Sequence, residues 1–225
     1  IFSKLKAKTI LFLLIVHSFL LHSYLPLTHK LIYGADQWRH LAVEARLLQE
    51  KPLNIISFNQ NPISIIQAFN PGKLAYSQMW ATETILSRLT TIPLLTLNKW
   101  LLPIIWSIIF PLLLFELGRI FFGDKKQALL FVWLGFLPFA WQVGGSFTLP
   151  SNLGFLIWFF LIILLLKRSH QPRWEQIVIL GIALALSIFG YTLYFLLFGL
   201  VWIIMEVLAR KRFVIAMSGE RETKQ

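Results

Sequence analysis

A series of long apolar segments is the feature that most constrains this chain of 225 residues. Several of these segments approach or exceed the ~20 residues that a helix needs to cross a bilayer. Hydrophobic residues make up 57% of the chain and charged residues 14%, whereas about a quarter of an ordinary soluble domain is charged. The sequence therefore predicts an all-α polytopic membrane protein.

We predict about six transmembrane helices in a single domain, residues 1–212, followed by a short polar tail, residues 213–225. The last two helices come from one apolar stretch, 174–209, that would form about 54 Å of helix and is too long for one crossing. Basic residues at both ends of this stretch favour an even number of crossings, with a tight turn near Gly190. The predicted spans are residues 9–27, 101–122, 127–143, 153–166, 176–189 and 193–209.

The distribution of charge predicts the orientation. With the N-terminus in the cytoplasm, the cytoplasmic segments hold most of the lysines and arginines, and the outer connections 144–152 and 190–192 hold none, as the positive-inside bias requires. Both termini are then cytoplasmic and the long loop, residues 28–100, is extracytoplasmic. The same bias explains the net charge of +11 without a nucleic-acid partner. The absence of cysteine excludes disulfides and thiol chemistry.

Two juxtamembrane amphipathic helices are predicted within the long loop. Residues 34–50, GADQWRHLAVEARLLQE, combine polar residues with an apolar side, and Pro52 ends the pattern. Residues 74–89 form the second helix, with Tyr76 and Trp80 among apolar residues. Such aromatic residues are typical of a helix at the membrane interface.

The candidate site residues are Asp36, His40 and Glu44, which fall at i, i+4 and i+8 on one face of the first of these helices. Asp36 is the candidate catalytic residue, and His40 and Glu44 are candidates for the vicinity of the substrate or of a metal ion. A carboxylate and a histidine at this spacing can share a divalent metal ion or a proton. A partly desolvated aspartate can also act as a general base. The alternative is a solvated helix face, with Asp36 placed by the helix dipole.

Three cations of the long loop, Lys73, Arg88 and Lys99, are candidates for binding a lipid phosphate. The alternative, which we favour, is that their side chains extend to the headgroups around the protein. His17 and His22 lie in the first predicted span, where an ionisable residue is a candidate for function or for a hydrogen bond to a neighbouring helix.

The order of these elements is that of a known family. One span is followed by an outer amphipathic helix with an early acid, GADQWRHLAVEARLL, then by a second juxtamembrane helix and further spans. This layout resembles the N-terminal half of GT-C-type membrane glycosyltransferases, which include protein O-mannosyltransferases, oligosaccharyltransferase catalytic subunits and aminoarabinose transferases.

The resemblance implies a role for one residue above all. In that family the acidic residue of the first outer loop, here Asp36, acts as a base or helps to bind a metal ion that positions the acceptor. The sugar donor is usually a polyprenyl phosphate or pyrophosphate. His40 matches a histidine that recurs in the family. Family members usually have more than ten spans, so the chain is expected to be a fragment or a reduced relative that needs a C-terminal half or a partner subunit.

The predicted function is therefore transfer of a sugar from a polyprenyl-phosphate-type lipid donor to an acceptor at the outer membrane face. Asp36 would deprotonate or orient the acceptor hydroxyl, and a loop cation would offset charge on the departing phosphate. One alternative is a transporter or channel subunit, which should carry more polar residues at mid-membrane than spans 3 to 6 do. Another is a non-catalytic membrane assembly protein, in which the three candidate residues could be replaced without effect.

Overall fold

The computed structural model describes residues 6–51, 76–170, 174, 177–178, 180–181, 184, 190–191 and 193–207. Within these residues the protein is all-α, as predicted, with nine helices. The helices are α1 (Ala7–His22), α2 (Tyr24–Thr28), α3 (Ala35–Leu48), α4 (Ser77–Thr90), α5 (Leu94–Phe122), α6 (Lys125–Leu134), α7 (Phe139–Ser146), α8 (Pro150–His170) and α9 (Leu193–Val207).

Helix α5 is the centre of the fold, because it contacts α1, α3, α4, α6, α7 and α8. Trp106, Phe110 and Leu114 project from it into the main hydrophobic core and are almost completely buried. The helix ends at Gly123, whose φ of 69° lies in the left-handed region and whose N–H donates to the carbonyl of Arg119. The predicted span 101–122 is thus part of a longer helix.

The predicted span 9–27 is wrong as a single helix, because the chain breaks at Ser23 between α1 and α2. Pro26 explains the break. It has no N–H to donate to the carbonyl of His22, four residues earlier, and its ring crowds that carbonyl. Helix α1 alone has 16 residues and packs on α5 through Ile10 and Leu14.

The predicted span 127–143 is a bent pair of helices rather than one helix. Helices α6 and α7 meet at a bend of 78°. Pro138 removes the N–H that would bond to the carbonyl of Leu134, so α6 ends there. Gly135 follows directly, and a Cβ at this position would overlap the side chain of Leu114. The bend therefore brings the backbone against α5.

Two helices are long and apolar enough to cross a membrane, Leu94–Phe122 with a mean hydropathy of 2.1 and Pro150–Lys167 with 1.9. A third is present if α6 and α7 form one broken span, and α1 and α9 are shorter apolar helices. The described residues thus show two to three candidate spans, and the six predicted spans are not shown. Most of the predicted span 176–189 and all of the tail 213–225 lie outside the described residues.

Helix α7 approaches α1 and α5 closely at Gly145. A Cβ at this position would overlap the imidazole of His22 and would lie 2.5 Å from Cδ1 of Trp106. Both rings are buried, so neither can move aside without disturbing its own neighbours. The absence of a side chain at Gly145 is therefore a condition for this packing.

We expect Gly145→Ala to be less stable than a matched Gly199→Ala variant by about 1–3 kcal/mol, the usual cost of overpacking. A Cβ at Gly199 would meet no described atom within 4 Å, and both variants gain the same helix propensity. The free energy of unfolding in detergent micelles, measured by SDS titration, gives the comparison. Equal stability of the two variants would contradict the packing described for α7.

Candidate functional site

Helices α3 and α4, the paired helices, pack on each other and on α5. They confirm the two amphipathic helices predicted for residues 34–50 and 74–89. Helix α3 begins after Gly34, whose φ of 110° suits glycine. His40 contacts Trp80, Glu44 contacts Glu83, and the carbonyl of Leu47 accepts from Arg88.

In these three contacts the residue numbers increase in the same direction along both helices, so α3 and α4 run parallel. Their N-terminal ends lie on one side of the pair and their C-terminal ends on the other. The first turn of α3, which carries Asp36, therefore lies beside the first turn of α4. Two helix N-termini, each with a partial positive charge, flank this end of the pair.

The three predicted site residues lie in different surroundings. Helix α3 buries Gln37, His40 and Glu44, whereas the Asp36 side chain is 66% exposed. The helical period explains why Asp36 is exposed and Glu44 is buried, because positions i and i+8 lie about 80° apart around the helix axis. The structure thus places Asp36 at the surface, His40 behind it and Glu44 deep in the contact with α4 and α5.

A hydrogen bond from α4 fixes the state of His40. The indole Nε1–H of Trp80 donates to His40 Nδ1 at 3.0 Å, so the neutral ring carries its proton on Nε2. Nε2 lies 3.9 Å from Oδ2 of Asp36. Burial lowers the pKa of His40, although the nearby Asp36 carboxylate opposes this. His40 is therefore a neutral group that directs its N–H toward Asp36.

Tyr76, which precedes α4, completes the surroundings of His40. Its ring meets His40 edge-on at a centroid distance of 5.3 Å and Trp80 at 5.8 Å. Burial raises the pKa of Tyr76, and the neighbouring Tyr191 and Asp36 raise it further. The phenol thus keeps its proton and remains a hydrogen-bond donor at neutral pH.

Glu44, Glu83 and Asn98 form a second polar cluster, from which solvent is fully excluded. Asn98 Nδ2 donates to Oε2 of Glu83 at 3.1 Å and approaches Oε2 of Glu44 at 3.5 Å. The two carboxyl groups also share a hydrogen bond. Burial, and then the proximity of Glu83, raises the pKa of Glu44 to about 10, and burial raises that of Glu83 as well.

This cluster holds at most one negative charge at neutral pH. A protonated Glu44 donates to Glu83, which avoids placing two like charges in a low-dielectric site. The cluster joins three helices, because Glu44 lies on α3, Glu83 on α4 and Asn98 on α5. It therefore fixes the paired helices on the central helix.

The described residues do not form a metal site. Among them, no group of three histidine, aspartate or glutamate side chains could hold an ion. His40 accepts from Trp80 through Nδ1, and the Glu44 carboxyl is committed to Glu83. Among the described residues, Asp36 consequently has no second metal ligand beside it.

The three candidate cations have separate positions. Arg88 Nη2 donates to the carbonyls of Leu47 and Leu48 at 3.4 and 3.3 Å, so it caps the C-terminal end of α3. Lys99 lines a small open cleft together with Gln37 and residues that include Tyr33, Phe147 and Leu25. Lys73 lies outside the described residues.

Sequence reasoning placed Trp80 and Glu83 only on an interfacial helix and did not consider Asn98. One signal was present, since Trp80 and Glu83 stand three residues apart and share a helix face. That these side chains meet His40 and Glu44 depends on the parallel packing of the two helices, which no local pattern reveals.

Comparison with protein-family models, with curated proteins and with solved structures finds no match to this chain. What the site can do must therefore be argued from the chemistry of its residues. The exposed Asp36 can accept a proton or contact a ligand, whereas the buried Glu44 and Glu83 can do neither without a rearrangement.

The Glu44–Glu83 pair predicts a dependence of stability on pH. The pKa of Glu44 is about 10 in the folded protein and near 4.5 ordinarily, so the folded state holds this proton more tightly. The stability that the proton on Glu44 contributes is fully present below pH 4.5 and is lost as the pH rises toward 10. We expect the free energy of unfolding to fall over this range.

The variant Glu44→Gln should flatten this dependence, because glutamine resembles the protonated acid and can still donate to Glu83. The matched control is Glu50→Gln, since the Glu50 side chain is 80% exposed. SDS unfolding of the three proteins between pH 5 and pH 10 gives the comparison. If the free energy of unfolding of Glu44→Gln falls with pH as steeply as that of the wild type, the Glu44–Glu83 pair does not titrate in this way.

Proposed function

We propose that this chain is the N-terminal part of a membrane glycosyltransferase that moves a sugar from a polyprenyl-phosphate-type donor to an acceptor hydroxyl. In this proposal the chain lies in the cell membrane with both termini cytoplasmic and residues 28–100 outside. The observation that supports it best is the exposed carboxylate of Asp36, 3.9 Å from a buried, neutral His40. A second subunit or a C-terminal half would complete the lipid site.

Asp36 is the group best suited to take the proton. His40 has no free lone pair, because Nδ1 accepts from Trp80 and Nε2 carries the proton. Glu44 and Glu83 are buried and hydrogen-bonded to each other. As the acceptor oxygen bonds to the anomeric carbon, the bond to the lipid phosphate breaks, its electron pair stays with the phosphate, and the acceptor proton passes to Asp36.

His40 and Trp80 act in this proposal as positioning residues. The Nε2–H of His40 faces one oxygen of Asp36 and leaves the other oxygen for the acceptor. Trp80 sets the tautomer of His40. The two parallel helix N-termini beside Asp36 favour negative charge at this end of the pair, both on the carboxylate and on a departing phosphate.

Lys99 is the cation that the arrangement favours for the phosphate. It lies with Gln37 in a cleft whose other lining residues are mainly apolar, and Gln37 directly follows Asp36. Arg88 is engaged at the opposite end of the pair. A cation near the leaving group offsets the charge that develops on it.

We expect Asp36→Asn to reduce sugar transfer about 10²–10⁴-fold, the usual contribution of a general base. Transfer of radiolabelled sugar from polyprenyl phosphate to membrane acceptors would be measured in membranes that contain the full-length protein. The matched control is Asp124→Asn, because Asp124 is an exposed N-cap and asparagine caps equally well. Unchanged transfer by Asp36→Asn would exclude this mechanism.

The variant Trp80→Phe tests the role of His40 through the pH profile. Loss of the indole donor frees Nδ1 to bind a proton, so the pKa of His40 should rise. A charged His40 would pair with Asp36 and lower its basicity. The acidic limb of the transfer profile should therefore move to higher pH, while Trp133→Phe, which alters an exposed indole on α6, should leave it unchanged. A uniform loss of rate at all pH values would indicate a merely structural role.

A further inference from the structure

Basic residues of four helices lie at one end of the helix bundle. The start of α6 rests on the last turns of α5, because a Cβ at Gly118 would lie 2.9 Å from Cα of Ala128. The end of α8 reaches the same place, since Nζ of Lys167 lies 2.7 Å from Oε2 of Glu116. The end of α5, the start of α6 and the end of α8 therefore meet.

Helix α1 brings its first turn to this end of the bundle. His17 contacts Phe136, in the bend that rests against Leu114, whereas His22 contacts Trp106. As the residue numbers increase along α1 they decrease along α5, so the two helices are antiparallel and the start of α1 lies beside the end of α5. We call the basic residues of these four segments the basic end: Lys6, Lys8, Arg119, Lys125, Lys126 and Lys167.

The acids near the basic end already have partners within the protein. Glu116 pairs with the basic residues of α5 and α8. Asp124 accepts from the backbone N–H of Gln127 as the N-cap of α6. Glu206, near the end of α9, accepts from the indole N–H of Trp202. These three carboxylates therefore offset only part of the positive charge.

The four lysines at the starts of α1 and α6 have no such partner. Among the described residues, none of their ammonium groups lies within 4.0 Å of a carboxylate oxygen, and all four residues are exposed. Like charges gathered in one place repel, and an external anion would offset that repulsion. The four residues are Lys6, Lys8, Lys125 and Lys126.

The basic end lies about one bilayer thickness from the buried polar cluster at Asn98. Both Asn98 and Arg119 belong to α5, and the helix between them is about 31 Å long at a rise of 1.5 Å per residue. The hydrocarbon core of a bilayer is about 30 Å thick. Over this length α5 exposes Ile104, Ile108 and Leu112. The basic end thus borders an apolar surface, as lipid headgroups border their acyl chains.

We propose that the basic end binds the headgroups of anionic phospholipids, with Lys125 and Lys126 as the principal contacts. The phosphate charges would offset the four lysines that the protein leaves unpaired. Phe121 and Phe122, which directly precede the start of α6, are exposed and can contact the acyl chains of the same lipids. A nucleic acid or a free phosphate would leave these two rings in water. The inference concerns the end of the bundle away from Asp36 and does not depend on the proposed function.

The test is native mass spectrometry of the full-length protein in a non-ionic detergent, with dioleoyl phosphatidylglycerol and dioleoyl phosphatidylcholine as probes. We expect the anionic lipid to bind more tightly. The double variant Lys125→Gln/Lys126→Gln should weaken its binding about 25-fold, from about fivefold for each basic residue, and leave phosphatidylcholine unaffected. The matched control Lys30→Gln/Lys51→Gln removes the same charge from two exposed lysines next to α2 and α3 and should bind phosphatidylglycerol as the wild type does.

Equal affinity of the wild type for the two lipids would overturn the assignment. An equal loss in the two double variants would overturn it as well, because binding would then follow total charge rather than the basic end. A short single-stranded oligonucleotide and inorganic phosphate serve as soluble competitors. If either displaces phosphatidylglycerol from the wild type, and its own binding is lost in Lys125→Gln/Lys126→Gln, the basic end binds a soluble anion and the lipid assignment is wrong.

Discussion

The position of the candidate site depends on the proton shared by Glu44 and Glu83. Burial of two ionised carboxylates side by side would be strongly unfavourable, because neither water nor a cation would offset their repulsion. One proton between them turns that repulsion into a hydrogen bond, and Asn98 supplies a donor from the central helix. Since this contact joins α3, α4 and α5, it determines where the first turn of α3, and therefore Asp36, is held.

The parallel arrangement of α3 and α4 separates the two ends of the pair chemically. At the C-terminal end, Arg88 satisfies carbonyls of α3 that have no partner within the helix. At the N-terminal end, both helices direct partial positive charge toward the surroundings of Asp36. The same backbone geometry thus stabilises a cation at one end and favours anions at the other, with the carboxyl pair between them.

The sequence allowed part of this structure to be predicted. The polar pattern after Gly34 located α3, and long apolar runs located α5 and α8. The predicted spans 9–27 and 127–143 ran across Pro26 and Pro138, because apolar runs locate a span but do not show where a proline breaks its helix. The spacing of Asp36, His40 and Glu44 placed them near one face, but their different burial depends on Trp80 and Glu83, which approach from a helix that lies forty residues further along the chain. Local periodicity carries no information on such a contact.

Tyr191, which precedes α9, adds a contact that links α9 to the pair of α3 and α4. The Tyr191 ring stacks on Tyr76, and its Cβ lies so close to Gly154 on α8 that a side chain at Gly154 would collide with it. Tyr76 in turn meets the ring of His40. The position of Tyr191 and the surroundings of His40, and therefore of Asp36, are thus coupled through one aromatic ring.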